Sequence, residues 1–103
     1  MSQTWLQMKE LGNAQFKNQN YSAAIDYYTR GIQYNSSEPV LYSNRATCFK
    51  CLGKYKESIS DYKRAVQLSP RNTKNLKKLA SIYIGNGISL KFKCLFKNCY
   101  FRT

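Results

Sequence analysis

Histidine is absent from this 103-residue chain, and its five acidic residues all lie before Tyr62. Without histidine the commonest general base and a standard zinc ligand are missing. There is also no glycine-rich phosphate loop, and no pair of carboxylates is placed to work in one cleft. The chain therefore reads as a non-enzyme, with no catalytic residue, cofactor or metal expected. Long apolar runs are lacking as well. Nothing approaches the roughly 20 residues of a membrane span. The opening Met1-Ser2-Gln3-Thr4-Trp5-Leu6 passes into helical pattern without the apolar core of a signal peptide. Cytoplasmic or nuclear residence is the expectation, with cytoplasmic the reading adopted.

The four cysteines do not make up for the missing histidine. Cys48 and Cys51 fall within a helical pattern rather than on a knuckle turn, and Cys94 and Cys99 lie far along the chain in its tail. A zinc site would have to join two distant pairs, which zinc-binding sequences do not favour. Cys48 reads as packing and Cys51 as a free thiol. A stable disulfide is not expected in a cytosolic chain.

Cations are what the chain has in excess. The net charge is +12, but it is unevenly spread. Residues 1–61 hold seven Lys/Arg and all five acids, whereas residues 62–103 hold ten Lys/Arg and no acid. That end should attract polyanions or acidic peptide through a long-range, salt-sensitive field. Apolar residues make up 43% and aromatics 15%, which suits a folded domain of modest core.

The apolar residues are periodic. Helical patterns run from about Thr4 to Asn18, from Ser22 (read as an N-cap) to Tyr34, from Val40 to Leu52 behind Pro39, from Lys56 to Leu68, and onward from Thr73. Gln19-Asn20, Asn35 to Pro39, Gly53 and Ser69-Pro70 separate them. A second, longer period is superimposed. Tyr21, Ile25, Tyr28, Arg30 and Gln33 recur at one constant offset as Tyr55, Ile59, Tyr62, Arg64 and Gln67. Small residues recur at the same interval, at Gly12, Ala46 and Ala80, at Ala24 and Ser58, and at Gly31 and Ala65. Positions of this kind let two helices approach closely, and a larger side chain there should overpack the pair at about 1–3 kcal/mol. The repeated Tyr and Ile positions should be core or inter-repeat contacts.

Leu11-Gly12-Asn13-Ala14, Tyr21-Ser22-Ala23-Ala24-Ile25, Leu41-Tyr42-Ser43-Asn44-Arg45-Ala46, Gly53-Lys54-Tyr55 and Leu68-Ser69-Pro70 together resemble the tetratricopeptide repeat (TPR) family. The family's repeat length, about 34 residues, equals the offset from Tyr21 to Tyr55. The resemblance covers about residues 5 to 87. It implies an all-α TPR helical-hairpin array, with full repeats at 5–38 and 39–72 and a partial third at 73–88. The TPR domain then spans 1–88 and an irregular basic and aromatic tail spans 89–103. In that tail Ser89, Phe92 and Lys93 stand where the period calls for Tyr, a small residue and Ile. A degenerate helix covering the open end is the favoured reading, with strand as the alternative. A truncated product of a longer TPR protein is the expectation for its origin.

TPR arrays present a concave face built from the first helix of each hairpin. On those helices lie Lys9 and Asn13, one turn apart, then Asn44, then Lys74 and Lys78, again one turn apart. Three ammonium groups and two amide donors suit two neighbouring carboxylates, as on a peptide ending in Asp. The set resembles the dicarboxylate clamp of Hop/Sti1-type TPR co-chaperones. That resemblance implies binding of the Glu-Glu-Val-Asp tail of seventy- or ninety-kilodalton heat-shock chaperones. Lys9, Asn13, Asn44 and Lys74 match the clamp in type; Lys78 stands where Arg is usual and lacks its planar fork. Phe16, Thr47 and Lys50 should line the same groove and touch residues upstream of the terminal Asp. Two rivals remain: a general TPR scaffold, and binding of nucleic acid or anionic membrane by Lys91, Lys93, Lys97 and Arg102 with Phe92, Phe96 and Tyr100.

Overall fold

A computed structural model describes residues 4–85 of the chain. Five helices follow one another there: α1 (Trp5–Lys17), α2 (Tyr21–Tyr34), α3 (Pro39–Cys51), α4 (Tyr55–Leu68) and α5 (Thr73–Gly85). Each packs on its neighbours in sequence. Helices α1 and α2 form one hairpin, α3 and α4 a second, and α5 begins a third. The expectations for the tail fall on residues outside those described.

The helix starts follow local chemistry. Thr4 and Gln7 form a reciprocal capping box, the Thr4 hydroxyl accepting from the Gln7 N–H and the Gln7 side chain from the Thr4 N–H. Pro39 opens α3, where its missing N–H costs nothing. Asn72 caps α5 by accepting from the Lys74 N–H.

The expected N-cap at Ser22 is not formed, because Tyr21 is already helical. The reason lies in the turn. Asn20 N–H bonds back to Gln15 C=O and Gln19 N–H to Phe16 C=O, the paired bonds of a Schellman close. Asn20 C=O at once accepts from Ala24 N–H. One residue thus ends α1 and starts α2, leaving no room for a cap further on. The second hairpin repeats the device, with Lys54 bonded to Phe49 and Gly53 to Lys50. The residue at the bend needs a left-handed backbone, at φ 79° for Gly53 and φ 63° for Gln19. Glycine takes that conformation freely, whereas glutamine does so against a steric cost.

The small residues sit where the helices meet. A methyl added at Gly12 would stand 2.5 Å from the Tyr28 ring, and one at Gly31 would meet Leu41 at 2.9 Å. Ala24, Ala46, Ser58 and Ala65 are wholly buried. The Ser58 hydroxyl donates to the Ala46 carbonyl at 2.7 Å, so a polar side chain serves at a contact too close for a large one. Two apolar clusters result. One joins Ala24, Tyr28, Leu41 and Cys48, with Trp5, Phe16 and Ile25 packed on it; the other joins Ala46, Tyr62, Leu79 and Ile82. Each cluster is completed by the first helix of the following hairpin. Of the repeated tyrosines, Tyr28 and Tyr62 are buried, but Tyr55 is 41% exposed. It opens α4, where the chain has only just left the turn.

One ion pair ties three helices together. Arg45 on α3 donates to both carboxylate oxygens of Asp61 on α4, at 2.7 and 2.8 Å, and to the Thr29 hydroxyl on α2 at 3.1 Å. Its guanidinium also lies beside the Tyr42 and Phe49 rings. A two-pronged pair of this geometry is among the stronger polar contacts.

Gly12→Ala should cost about 1–3 kcal/mol in urea denaturation, since the ring that must yield is itself packed. A second expectation concerns alkaline pH. Burial pushes the Cys48 thiol from 9.0 up to about 12, the nearby Cys51 adding to it, and burial also raises the Tyr28 and Tyr62 hydroxyls. A group whose folded pKa is raised contributes stability fully below its unfolded value and loses it as pH climbs toward the folded one. Urea midpoints should hold to pH 9 and then fall toward pH 12, and Cys48→Ala should flatten that fall.

Candidate functional site

Two adjoining clefts open along the faces of α1, α3 and α5. The larger, about 300 Å³, is lined by Asn13, Phe16, Tyr28, Asn44, Thr47 and Lys78. The smaller, about 230 Å³, is lined by Asn44, Lys74 and Lys78 together with Glu38, Ser43 and Asn75. Asn44 and Lys78 belong to both. Of the eight residues named from the sequence, six therefore come together around this pair of clefts. Lys9 and Lys50 line neither. Lys9 lies one turn before Asn13 with its ammonium 5.9 Å from the Trp5 ring centre, and Lys50 is half-buried near the end of α3.

A hydrogen-bond network sets which atoms of Asn13 face the groove. The Tyr28 hydroxyl donates to Asn13 Oδ1, and Asn44 Nδ2 reaches the same oxygen at 3.4 Å. Burial raises the Tyr28 pKa, so the hydroxyl keeps its proton. Turning the Asn13 amide over would bring its NH₂ against the Asn44 NH₂ and leave that contact without an acceptor. Both lone pairs of Oδ1 are thus in use, and the Asn13 N–H groups remain for a ligand. Asn44 uses one N–H in this way and keeps the other.

Thr47 occupies in the second repeat the place that Asn13 holds in the first, and Tyr62 likewise corresponds to Tyr28. The same pairing recurs: the Thr47 hydroxyl donates to Ser43 C=O at 3.1 Å and meets the Tyr62 hydroxyl at 2.6 Å. Thr47 has one proton to give, so Tyr62 is the donor to it. Thr47 therefore lines the cleft without a free donor. The cations of the pair of clefts come from α5, whose Lys74 and Lys78 are exposed. That helix is held by Leu79 and Ile82, buried against Ala46 and Tyr62.

Tyr28, Ser43 and Asn75 also line the clefts, and sequence reasoning did not name them for the groove. Tyr28 carried a usable signal, because the Asn13–Tyr28 and Thr47–Tyr62 pairs keep one spacing of 15 in both repeats.

Sequence models of the tetratricopeptide repeat match residues 10–38 and 39–72. The chain belongs to the tetratricopeptide repeat family. Among curated relatives, the E3 ubiquitin-protein ligase TTC3 of Mus musculus is 43% identical over 61 residues, 59% of this chain and 3% of that protein. Heat shock protein STI1 of Saccharomyces cerevisiae is 33% identical over 88 residues, 84% of this chain and 15% of that one. The TPR chain thus spans a small part of the length of these relatives. Among solved structures, the first TPR of Spaghetti (RPAP3), bound to the HSP90 peptide SRMEEVD, superposes with a TM-score of 0.77 at 37% identity, over 82% of this chain and 67% of that one. Among the described residues no helix is long and apolar enough to cross a membrane, and no cluster of side chains could hold a metal ion.

Tyr28→Phe removes a single hydroxyl from this TPR groove. It should cost about 1 kcal/mol of stability and release the Asn13 amide, seen as broadening of the Asn13 side-chain NH₂ signals in a nitrogen–proton correlation spectrum.

Proposed function

We propose that this TPR domain is a protein-binding adaptor of co-chaperone type, gripping the C-terminal Glu-Glu-Val-Asp tail of a heat-shock chaperone in a dicarboxylate clamp. The observation that carries the reading is the shared edge of the two clefts. Asn13, with its N–H groups unspent, and Asn44 meet Lys78 in one, while Asn44, Lys74 and Lys78 meet in the other. Two carboxylates a few ångströms apart, the pair carried by a C-terminal aspartate, would fill that arrangement. Lys9 enters as a third cation from one turn before Asn13, swinging from its place beside Trp5. Phe16 and Thr47 meet the residue before the aspartate, and Lys50 the acidic residues further upstream. The Spaghetti domain bound to SRMEEVD supports the same ligand chemistry. Gripping the tail of a seventy- or ninety-kilodalton chaperone would put the protein's work in the cytoplasm.

Calorimetry at physiological salt, with SRMEEVD peptide as free acid and as C-terminal amide, tests the clamp. The free acid should bind and the amide should lose at least about tenfold in affinity, because charge-assisted bonds of this kind are each worth about 1.5–3 kcal/mol. Asn44→Ala and Lys9→Glu should each weaken binding by about tenfold or more while leaving helicity unchanged. Equal binding of acid and amide would leave a charge-driven TPR scaffold instead.

A further inference from the structure

The repeat breaks its own pattern at one position of α5. Leu41 on α3 is wholly buried against Gly31 at the junction of the first two hairpins. The corresponding place at the next junction, one repeat further on, holds Asn75, which is 4% exposed. An amide at a core position costs free energy unless hydrogen bonds replace the water it loses. Among the described residues no hydrogen bond reaches the Asn75 side chain. Yet none of the side-chain nitrogen or oxygen atoms shut off from solvent there lacks a partner. The opening beside Asn75 is the smaller cleft, which it lines with Ser43, Asn44, Lys74 and Lys78.

The charges of that cleft point to its ligand. Lys74 and Lys78 face one acid, Glu38, so its lining carries one net positive charge, enough for a single carboxylate. Asn75 and Lys78 are one turn apart on α5. An ammonium is a point charge without the flat pair of donors that a guanidinium offers a carboxylate. A neutral amide beside it supplies the second donor and adds no repulsion between cations. Breaking a packing rule in this way is expected where a site requires it.

Resting on the clamp proposed above, we infer that Asn75 is a specificity-determining residue of the groove. Its amide N–H groups join Lys74 and Lys78 in holding the side-chain carboxylate of the ligand's C-terminal aspartate. Asn75 thereby discriminates aspartate from asparagine at the last position.

The test compares the intact chain with Asn75→Leu, Asn75→Ala and Asn75→Asp. Three probe peptides are titrated into each: SRMEEVD, the same peptide ending in Asn with a free C-terminus, and SRMEEVD amidated at its C-terminus. The wild type should prefer Asp to Asn. Asn75→Leu and Asn75→Ala should bind SRMEEVD about three- to tenfold more weakly and the Asn-ended peptide unchanged, so the preference shrinks. Asn75→Asp should weaken SRMEEVD binding further by placing a carboxylate where one is to be held. A purely structural role would not move the Asp-to-Asn ratio, and the thermal midpoint of Asn75→Leu should stay level or rise, since leucine is what this position holds at the first junction. An unchanged ratio in both Asn75→Leu and Asn75→Ala, with acid still preferred to amide by the wild type, overturns the role of Asn75 alone. Equal wild-type binding of acid and amide overturns the clamp and this inference together.

Discussion

The contact between the Tyr28 ring and the bare Cα of Gly12 is the constraint on which the groove depends. It sets how closely α2 lies against α1, and no side chain larger than hydrogen fits between them. With the ring seated there, its hydroxyl arrives at Asn13, the next residue along α1. Packing and the orientation of the groove's donors are thus one event: the residue that closes the hairpin also holds Asn13 Oδ1, so that the Asn13 N–H groups stay unspent. The second hairpin uses the same plan with Ala46, Tyr62 and Thr47. There the polar partner is a hydroxyl whose proton is consumed within the hairpin, so the plan yields a groove wall rather than a donor.

Because each apolar cluster is finished by the first helix of the following hairpin, the groove cannot form from one repeat. Its donors come from α1 and α3 and its cations from α5, and α5 owes its position to Leu79 and Ile82 against Tyr62 and Ala46. The Arg45–Asp61 pair, with its reach to Thr29, adds a polar tie across α2, α3 and α4. Contacts of this kind between successive helices let a stacked array hold side chains from separate repeats at fixed spacing.

Much of this was legible from the chain alone. The recurrence of tyrosines, isoleucines and small residues at one fixed interval led to helical hairpins, and the small residues were read as close helix contacts. Boundaries were legible to within a residue or so where a proline or glycine marks them. Ser22 misled because serine is a common cap, while the cap position had already been taken by a turn whose bonds run back into α1. Tyr55 misled because a repeated aromatic reads as buried, although a helix's first residue need not be covered.

The periodic spacing of apolar and small residues is a one-dimensional property, and it suffices for fold class because every repeat buries the same stripe against its neighbour. It was enough as well to put Asn13, Asn44, Lys74 and Lys78 on successive first helices. Which of those groups still has a hydrogen bond to offer is a different matter. Asn13 keeps its donors while Thr47 does not, and an asparagine stands where the preceding junction buries a leucine yet opens onto a cleft. Both facts depend on partners in other helices, far away along the chain. Those separations in sequence become contacts only when the hairpins close and stack, so the chemistry of the groove belongs to the assembled fold.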